Sequence, residues 1–352
     1  MGDGRFEMLD LFKDVLDYYL NRTHRFACLI FAIMITLAEV ESNFIDQLST
    51  IYDQAEAKSI AWWCINHVCK VSKATYLATK NDKLSLENES SLDSLLEDLK
   101  TGKPVQYVLG ETEFYGLPFK VNSSVLIPRP ETEELVDWVL IELRNRINAA
   151  VTAKTETKSD TSTNDDSVLE VTLESIIETN KVIKILDLGT GSGCIPISIK
   201  KYLPHVEVSA MDISEAAIET ASENATLNSV NITFRKDDIL KMSENSILNT
   251  QYSILISNPP YVTVAEKECM HKNVLEHEPH TALFVPNEDA LIFYNHIANF
   301  AKTNLVKKGL LFLEINENLG KQTIELLESK GFLDIELRQD MRGKNRMIRA
   351  TL

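Results

Sequence analysis

The sequence predicts an α/β protein: an open, doubly wound parallel sheet in its second half, with a small helical bundle ahead of it. Three observations carry this. Short apolar runs at residues 182–188, 206–211 and 252–257 are followed by helix-length stretches, the pattern of repeated βα units with right-handed crossovers. These runs are β-branched and near-continuous rather than alternating, as strands buried on both faces are. Residues 1 to about 105 instead carry apolar residues at spacings of three and four with no intervening strand, which indicates a helical bundle.

The whole chain sets bounds. Its 352 residues suffice for one large or two modest domains. A formal net charge of −16 argues against a surface built to bind phosphate backbones. The five cysteines (Cys28, Cys64, Cys69, Cys194, Cys269) form no paired framework and no Cys-x-x-Cys, which points to a reducing compartment. No run reaches the roughly 18 apolar residues of a membrane span. The nearest, 26–38, has the length of a buried helix. Acidic residues at Asp3, Glu7, Asp10, Asp14 and Asp17 do not suit a transit peptide.

Taken in order, the helical domain is read over 1–105. Leu9, Phe12, Leu16 and Leu20 form one apolar stripe, Ile60, Trp63, Cys64, His67 and Val68 a second, and 91–99 a third, ended by Gly102 and Pro104. Trp62 and Trp63 are expected in its core. Residues 106–125 hold two β-prone runs, 106–110 and 113–121, punctuated by glycine, and read as a hairpin linking two domains. A stiff Pro128-Arg129-Pro130 segment then leads into a helix over about 132–147. Residues 149–180 are polar, and 151–167 have no apolar periodicity, so a solvated, disordered insertion is expected, with a short helix at 168–177. Residues 126–352, apart from that insertion, form the sheet domain. Two final strands, 333–338 and 347–352, flank a turn at Gly343.

Two motifs carry chemistry. Between the first strand and its helix lies Asp187-Leu188-Gly189-Thr190-Gly191-Ser192-Gly193, whose glycines permit a tight turn and close approach of a ligand to backbone N–H groups. Its Gly-x-Gly-x-Gly spacing differs from the dinucleotide fingerprint. Asp212 ends the second strand, where an acid accepts from ribose hydroxyls; the competing reading is a helix N-cap. Asp237 and Asp238 follow the third strand and can meet the far end of the same ligand. The second motif, Asn258-Pro259-Pro260-Tyr261, follows the fourth strand. Consecutive prolines fix the path and leave carbonyls free, Asn258 offers an amide oxygen, and Tyr261 a flat face. Together they suit a planar, amide-like group.

The glycine loop, the acid and Asn-Pro-Pro-Tyr resemble the class I S-adenosylmethionine-dependent methyltransferases that act on planar nitrogen, whose sheet is Rossmann-like. The match sharpens in residues 104–110 and 126–133, Glu278-Pro279, Ala282-Leu283, Leu313-Glu314-Ile315 and Asn345-Arg346. This set resembles the release-factor glutamine methyltransferases, the HemK/PrmC family, over nearly all of residues 50–352. Residues 1–45, the 149–180 insertion and Asn316, where glycine is expected, depart from the pattern. The resemblance implies methylation of the glutamine amide nitrogen in the Gly-Gly-Gln motif of class 1 peptide chain release factors. It implies S-adenosylmethionine bound by Gly189, Thr190, Gly191, Ser192, Gly193, Asp212, Asp238 and Asn258. The substrate amide is then held by Asn258, Pro259, Pro260 and Tyr261, with Phe114 covering its other face, and the helical domain recognises the partner.

An amide nitrogen becomes strongly acidic as it is alkylated, so no general base is assigned. Cys269, His271, His277 and His280 do not match structural zinc spacing, and no metal is expected. Rival readings are adenine N6 methylation, a ribosomal-protein glutamine substrate, and an inactive cofactor-binding scaffold. The type of helical domain and the low-complexity insertion point to mitochondria, with the cytoplasm as the alternative.

Overall fold

The computed structural model describes residues 35–156, 182–244 and 250–352. The expected stripe at Leu9 to Leu20, most of the apolar segment 26–38, the short helix at 168–177 and residues 157–180 of the insertion lie outside them. The chain divides into two compact units, Met1–Leu109 and Gly110–Leu352.

The first unit holds α1 (Leu37–Leu48), α2 (Gln54–Cys69), α3 (Lys73–Thr79), α4 (Leu86–Leu99) and α5 (Val105–Leu109). Side-chain caps set four of their starts: Thr36 with Glu39 in a capping box, Asp53, Ser72 and Ser85. Each such cap contributes about 1 kcal/mol. Phe44 and Leu48 of α1, Ile60 and Cys64 of α2, and Leu92, Leu96 and Leu99 of α4 close a common core. Two expectations are corrected. Trp63 is 45% exposed, because the buried stripe of α2 runs through Ala57, Ile60, Ala61, Cys64 and Ile65 and turns it outward. Residues 106–109 belong to α5 rather than to a strand, with Tyr107 and Val108 amides bonded to the Pro104 carbonyl as in a helical turn.

The second unit opens with the hairpin β1 (Glu111–Phe114) and β2 (Leu117–Lys120), paired antiparallel. It is no free linker. Asn224 accepts from the Lys120 amide (2.6 Å) and donates to the Lys120 carbonyl (2.9 Å), and Phe114, Leu117 and Phe119 enter the unit's core. Helix α6 (Pro130–Glu156) follows, so the first residues of the expected disordered insertion are helical. The sheet is built from β3 (Lys184–Leu188), β4 (Glu207–Asp212), β5 (Thr233–Lys236), β6 (Tyr252–Ser257), β9 (Leu305–Glu314), β10 (Leu333–Gln339) and β11 (Asn345–Thr351). A separate small pair, β7 (Val262–Thr263) and β8 (Phe284–Val285), lies in the loop after β6. Helices α7 (Cys194–Tyr202), α8 (Glu215–Leu227), α9 (Lys272–His277), α10 (Ile292–Asn304) and α11 (Gly320–Ser329) complete it.

Strand order is β10-β11-β9-β6-β3-β4-β5. β9, β6, β3, β4 and β5 are parallel, while β11 runs antiparallel to both β9 and β10. The parallel sheet is therefore mixed at one edge, where the two strands expected around Gly343 pair as a hairpin. The reason is local: β10 and β11 are joined by a tight turn with Gly343 at φ 77°, far too short for a parallel crossover. Chain order reverses beside β3, with β4 on one side and β6 on the other. That switch opens a crevice at the carboxyl ends of these strands, where such sheets bind ligands. Ser257, at the end of β6, donates to the Leu188 carbonyl of β3 at 2.6 Å and pins the two strand ends together.

Candidate active site

Leaving β3, the backbone passes through Gly189, Gly191 and Gly193 with φ of 76°, 53° and 80°, the left-handed region that favours glycine. At Gly193 a Cβ would come within 2.9 Å of Ile197 and 3.1 Å of Ala221, so only glycine lets the loop sit down on α7 and α8. A Cβ at Gly191 would meet nothing within 4 Å, which leaves this face of the loop open to a ligand. The Gly191 amide donates to Asp212 Oδ2 at 2.8 Å, and the Ser214 amide donates to Asp212 Oδ1 at 2.9 Å. Burial raises the Asp212 carboxyl above its ordinary range, and the amides of Ser214, Gly191 and Ile213 oppose that rise. The cap of α8 is Ser214, not Asp212, since the Ser214 hydroxyl accepts from the Ala217 amide.

Beneath the loop lies Asp187, fully buried. Among the described residues neither of its carboxylate oxygens, nor the Thr190 or Ser192 hydroxyl, has a hydrogen bond of normal geometry. Burial pushes the Asp187 carboxyl up to about 7, the Thr190 hydroxyl pulls it back, and the Asp212 charge adds to the rise. Unpaired buried polar groups are costly in a closed protein and are a mark of a site that awaits a partner.

Loop, acid and Asn-Pro-Pro-Tyr motif share one cavity of about 350 Å³, lined by Gly189 to Ser192, Asp212, Asp238, Asn258 and Pro260. That volume is in the range of small-molecule sites. Asp238 Oδ1 accepts from the Leu240 amide at 2.9 Å, and its other oxygen lies 3.1 Å from Lys241 Nζ. Ile213, Ile239, Leu240 and Ala282 supply apolar walls. Arg129 and Thr132 also line the cavity. The Arg129 guanidinium pairs with Glu278 at 2.6 Å, and Glu278 is 4% exposed, so the Pro-Arg-Pro segment is tied to the loop that carries Pro279.

Asn258 Nδ2 donates to Thr132 Oγ1 at 3.2 Å, and no hydrogen bond from a described residue reaches its Oδ1. The Tyr261 phenol donates to Glu314 Oε1 at 3.1 Å, and its backbone carbonyl accepts from Asn316 Nδ2 at 3.1 Å. Asn316, which departs from the expected glycine, thus braces the motif. Pro259 is buried and Tyr261 half-buried; neither lines the cavity. Phe114 is corrected: 1% exposed, it packs edge-on against Phe119 (6.0 Å) in the core and does not line the cavity. Among the described residues no group of three or more His, Cys, Asp or Glu side chains could hold a metal. His280 instead lies 2.7 Å from the Leu275 carbonyl and stacks edge-on against Phe284.

Residues 164–282 match the Methyltransferase small domain family, and residues 42–110 the PrmC N-terminal domain family. The release factor glutamine methyltransferase of Flavobacterium psychrophilum is 41% identical over 309 residues, covering 88% of this chain and 96% of that protein. The chain belongs to the release factor glutamine methyltransferase family. The Bacteroides thetaiotaomicron member is 36% identical, covering 86% of this chain and 95% of that protein. The Streptococcus pneumoniae member is 32% identical, covering 89% and 97%. These relatives are bacterial and lend no support to a mitochondrial location. Their family's sheet, a Rossmann-like class I methyltransferase sheet, is the one described above. S-adenosylmethionine fits the cavity on its own chemistry: an open glycine loop, the Asp212 carboxylate, apolar walls, and the unpaired Thr190 and Ser192 hydroxyls.

The stiff segment around Arg129, which the sequence suggests as one wall of a cleft, does line the cavity, whereas sequence reading gave no role to Asp187, Thr132, Glu278, Glu314, Ile213 or Ile239. For Asp187 and Glu314 there was a signal: each is an acid placed at or within a strand's apolar run, where a charge is tolerated only with a task.

Proposed function

We infer that this chain transfers the methyl group of S-adenosylmethionine to the side-chain amide nitrogen of a glutamine, the one in the Gly-Gly-Gln motif of a class 1 peptide chain release factor. The observation that carries the reading is Asn258: among the described residues nothing donates to its amide oxygen, and it stands at the wall of a cavity shared with the glycine loop and Asp212. The names and coverage of the relatives support the substrate.

S-adenosylmethionine, when bound, supplies a methyl group already activated on a sulfonium. The chain's task is alignment and electrostatics. Gly189 to Gly193 and Asp212 hold the cofactor, with Asp238 toward its base. The Asn258 oxygen accepts a hydrogen bond from an amide N–H of the substrate, which turns the nitrogen toward the methyl and stabilises the positive charge that develops there. Pro260 and Tyr261 keep the motif rigid. The alkylated nitrogen, now strongly acidic, gives its proton to solvent water, so no dedicated base is needed.

The test is transfer of a labelled methyl group to a purified full-length release factor, with the modified residue located by mass spectrometry. Label on the Gly-Gly-Gln glutamine is expected. Label on a ribosomal protein or on adenine instead would overturn the assignment. Among the described residues no helix is long and apolar enough to cross a membrane.

A further inference from the structure

Behind the Asn-Pro-Pro-Tyr motif lies a buried chain of hydrogen bonds that the mechanism has not used. Thr132, in the first turn of α6, is 2% exposed, and Glu314, the last residue of β9, is 1% exposed. Thr132 Oγ1 donates to Glu314 Oε2 at 2.6 Å, Asn258 Nδ2 donates to Thr132 Oγ1 at 3.2 Å, and the Tyr261 phenol donates to Glu314 Oε1 at 3.1 Å.

The order of donors matters. A threonine hydroxyl has one proton, and an ionised carboxylate only accepts. With its proton committed to Glu314, the Thr132 oxygen can only accept, so the carboxamide beside it must present its NH2 group. The two ends of an asparagine amide are nearly isosteric, and the surrounding hydrogen bonds alone decide between its two flips. Facing NH2 toward Thr132 turns Oδ1 the other way, where the transfer reaction needs an acceptor.

We propose that Glu314 and Thr132 are positioning residues that fix the Asn258 carboxamide with its oxygen toward the substrate amide, Glu314 holding the Tyr261 phenol with its second oxygen. One buried carboxylate thereby sets two members of the motif from β9, the strand paired beside β6. The inference rests on the glutamine-transfer reading above.

The test uses the full chain with a whole release factor, and the variants Thr132→Val, Thr132→Ser, Glu314→Gln and the Val/Gln double. Thr132→Val keeps the shape without the hydroxyl and should lower kcat about tenfold to a hundredfold, the scale of a misaligned reactant. KM for the release factor and cofactor Kd should stay within about twofold, since ground-state binding is not what is lost. Thr132→Ser restores the hydroxyl and should recover most of kcat. In Glu314→Gln the new NH2 can donate to Thr132, which frees the hydroxyl to bond the wrong end of Asn258 and gives a similar loss. The double variant should be no slower than the worse single, because both act through one bond. A Thr132→Val rate within about twofold of wild type, or single losses that multiply in the double, overturns the proposal. So does a fall in melting temperature and cofactor affinity that tracks kcat and is not recovered by Thr132→Ser, which would mark a structural role. Failure of the unaltered chain to methylate any release factor would instead sink the underlying reading.

Discussion

The Gly191 amide donates to Asp212 Oδ2 at 2.8 Å, so the glycine loop and the acid after the next strand are one hydrogen-bonded unit. The acid's other oxygen accepts from Ser214, which leaves each oxygen a lone pair for a ligand hydroxyl. On the proposed reading, removing this side chain loses a charge-assisted bond to ribose and also releases the loop. A charge-assisted bond contributes about 1.5–3 kcal/mol, so Asp212→Ala should weaken cofactor binding by roughly one to two decades. Titration calorimetry checks this; unchanged affinity would reduce Asp212 to a brace for the backbone.

Asn258→Ala should all but abolish methyl transfer, by about a hundredfold or more, as loss of a group aimed at developing charge does. The fold should survive, because among the described residues the side chain bonds only to Thr132 and stands at the cavity wall. Cofactor affinity should weaken only modestly. Single-turnover transfer with labelled cofactor is the measurement, and a near-normal rate would remove Asn258 from the mechanism.

Asp187 sets a pH dependence. Its carboxyl is pushed up to about 7 in the folded chain, against about 3.9 in an unfolded one. The folded state therefore holds the proton more tightly. The group's contribution to stability is full below about pH 4 and is lost as pH rises toward 7, a loss on the order of a few kcal/mol. Asp187→Asn removes that slope. In the cofactor-free protein it should melt higher than wild type at pH 8, with the gap closing below about pH 5. A positively charged ligand should offset the buried charge, so cofactor should raise the wild-type melting temperature more than the variant's. Thermal melts across pH, with and without S-adenosylmethionine, decide it; a gap that does not change with pH would show that Asp187 is ionised and paired throughout.

Much of this site could be read from the sequence because its backbone features are local. A glycine loop at a strand end and two prolines after another strand leave marks that need no knowledge of distant neighbours. The carboxyl-end crevice then follows from the βα repeat. What could not be read are the partners brought in from afar. Thr132 and Glu314 are separated by 182 positions, and Arg129 and Glu278 by 149, and no spacing rule connects such pairs. Phe114 failed for a related reason: an aromatic in a hairpin can face a ligand or a core, and only the packing of Phe119 and α6 decides. The antiparallel edge, by contrast, was legible for a local reason: two short strands flanking a glycine turn leave no length for a parallel crossover.

Selection of the substrate is the remaining matter, since a site that grips one amide cannot by itself tell release factors from other proteins. Discrimination must come from contacts outside it. Residues 42–110 match the PrmC N-terminal domain family, and on their α2 the large apolar side chain Trp63 stands 45% exposed. Exposed tryptophans are frequent anchors of protein interfaces. Glycines beside the target glutamine would let its loop enter a narrow cleft without side-chain clashes. A whole release factor should accordingly be methylated far faster than a short peptide with the same Gly-Gly-Gln, through a lower KM. Trp63→Ala should raise KM for the protein severalfold and leave kcat and peptide turnover unaltered, because it removes remote binding only. Steady-state kinetics on both substrates make the comparison. Equal rates on peptide and protein would mean that the cleft alone selects, and an unaffected KM would show that the helical unit meets its partner on another face.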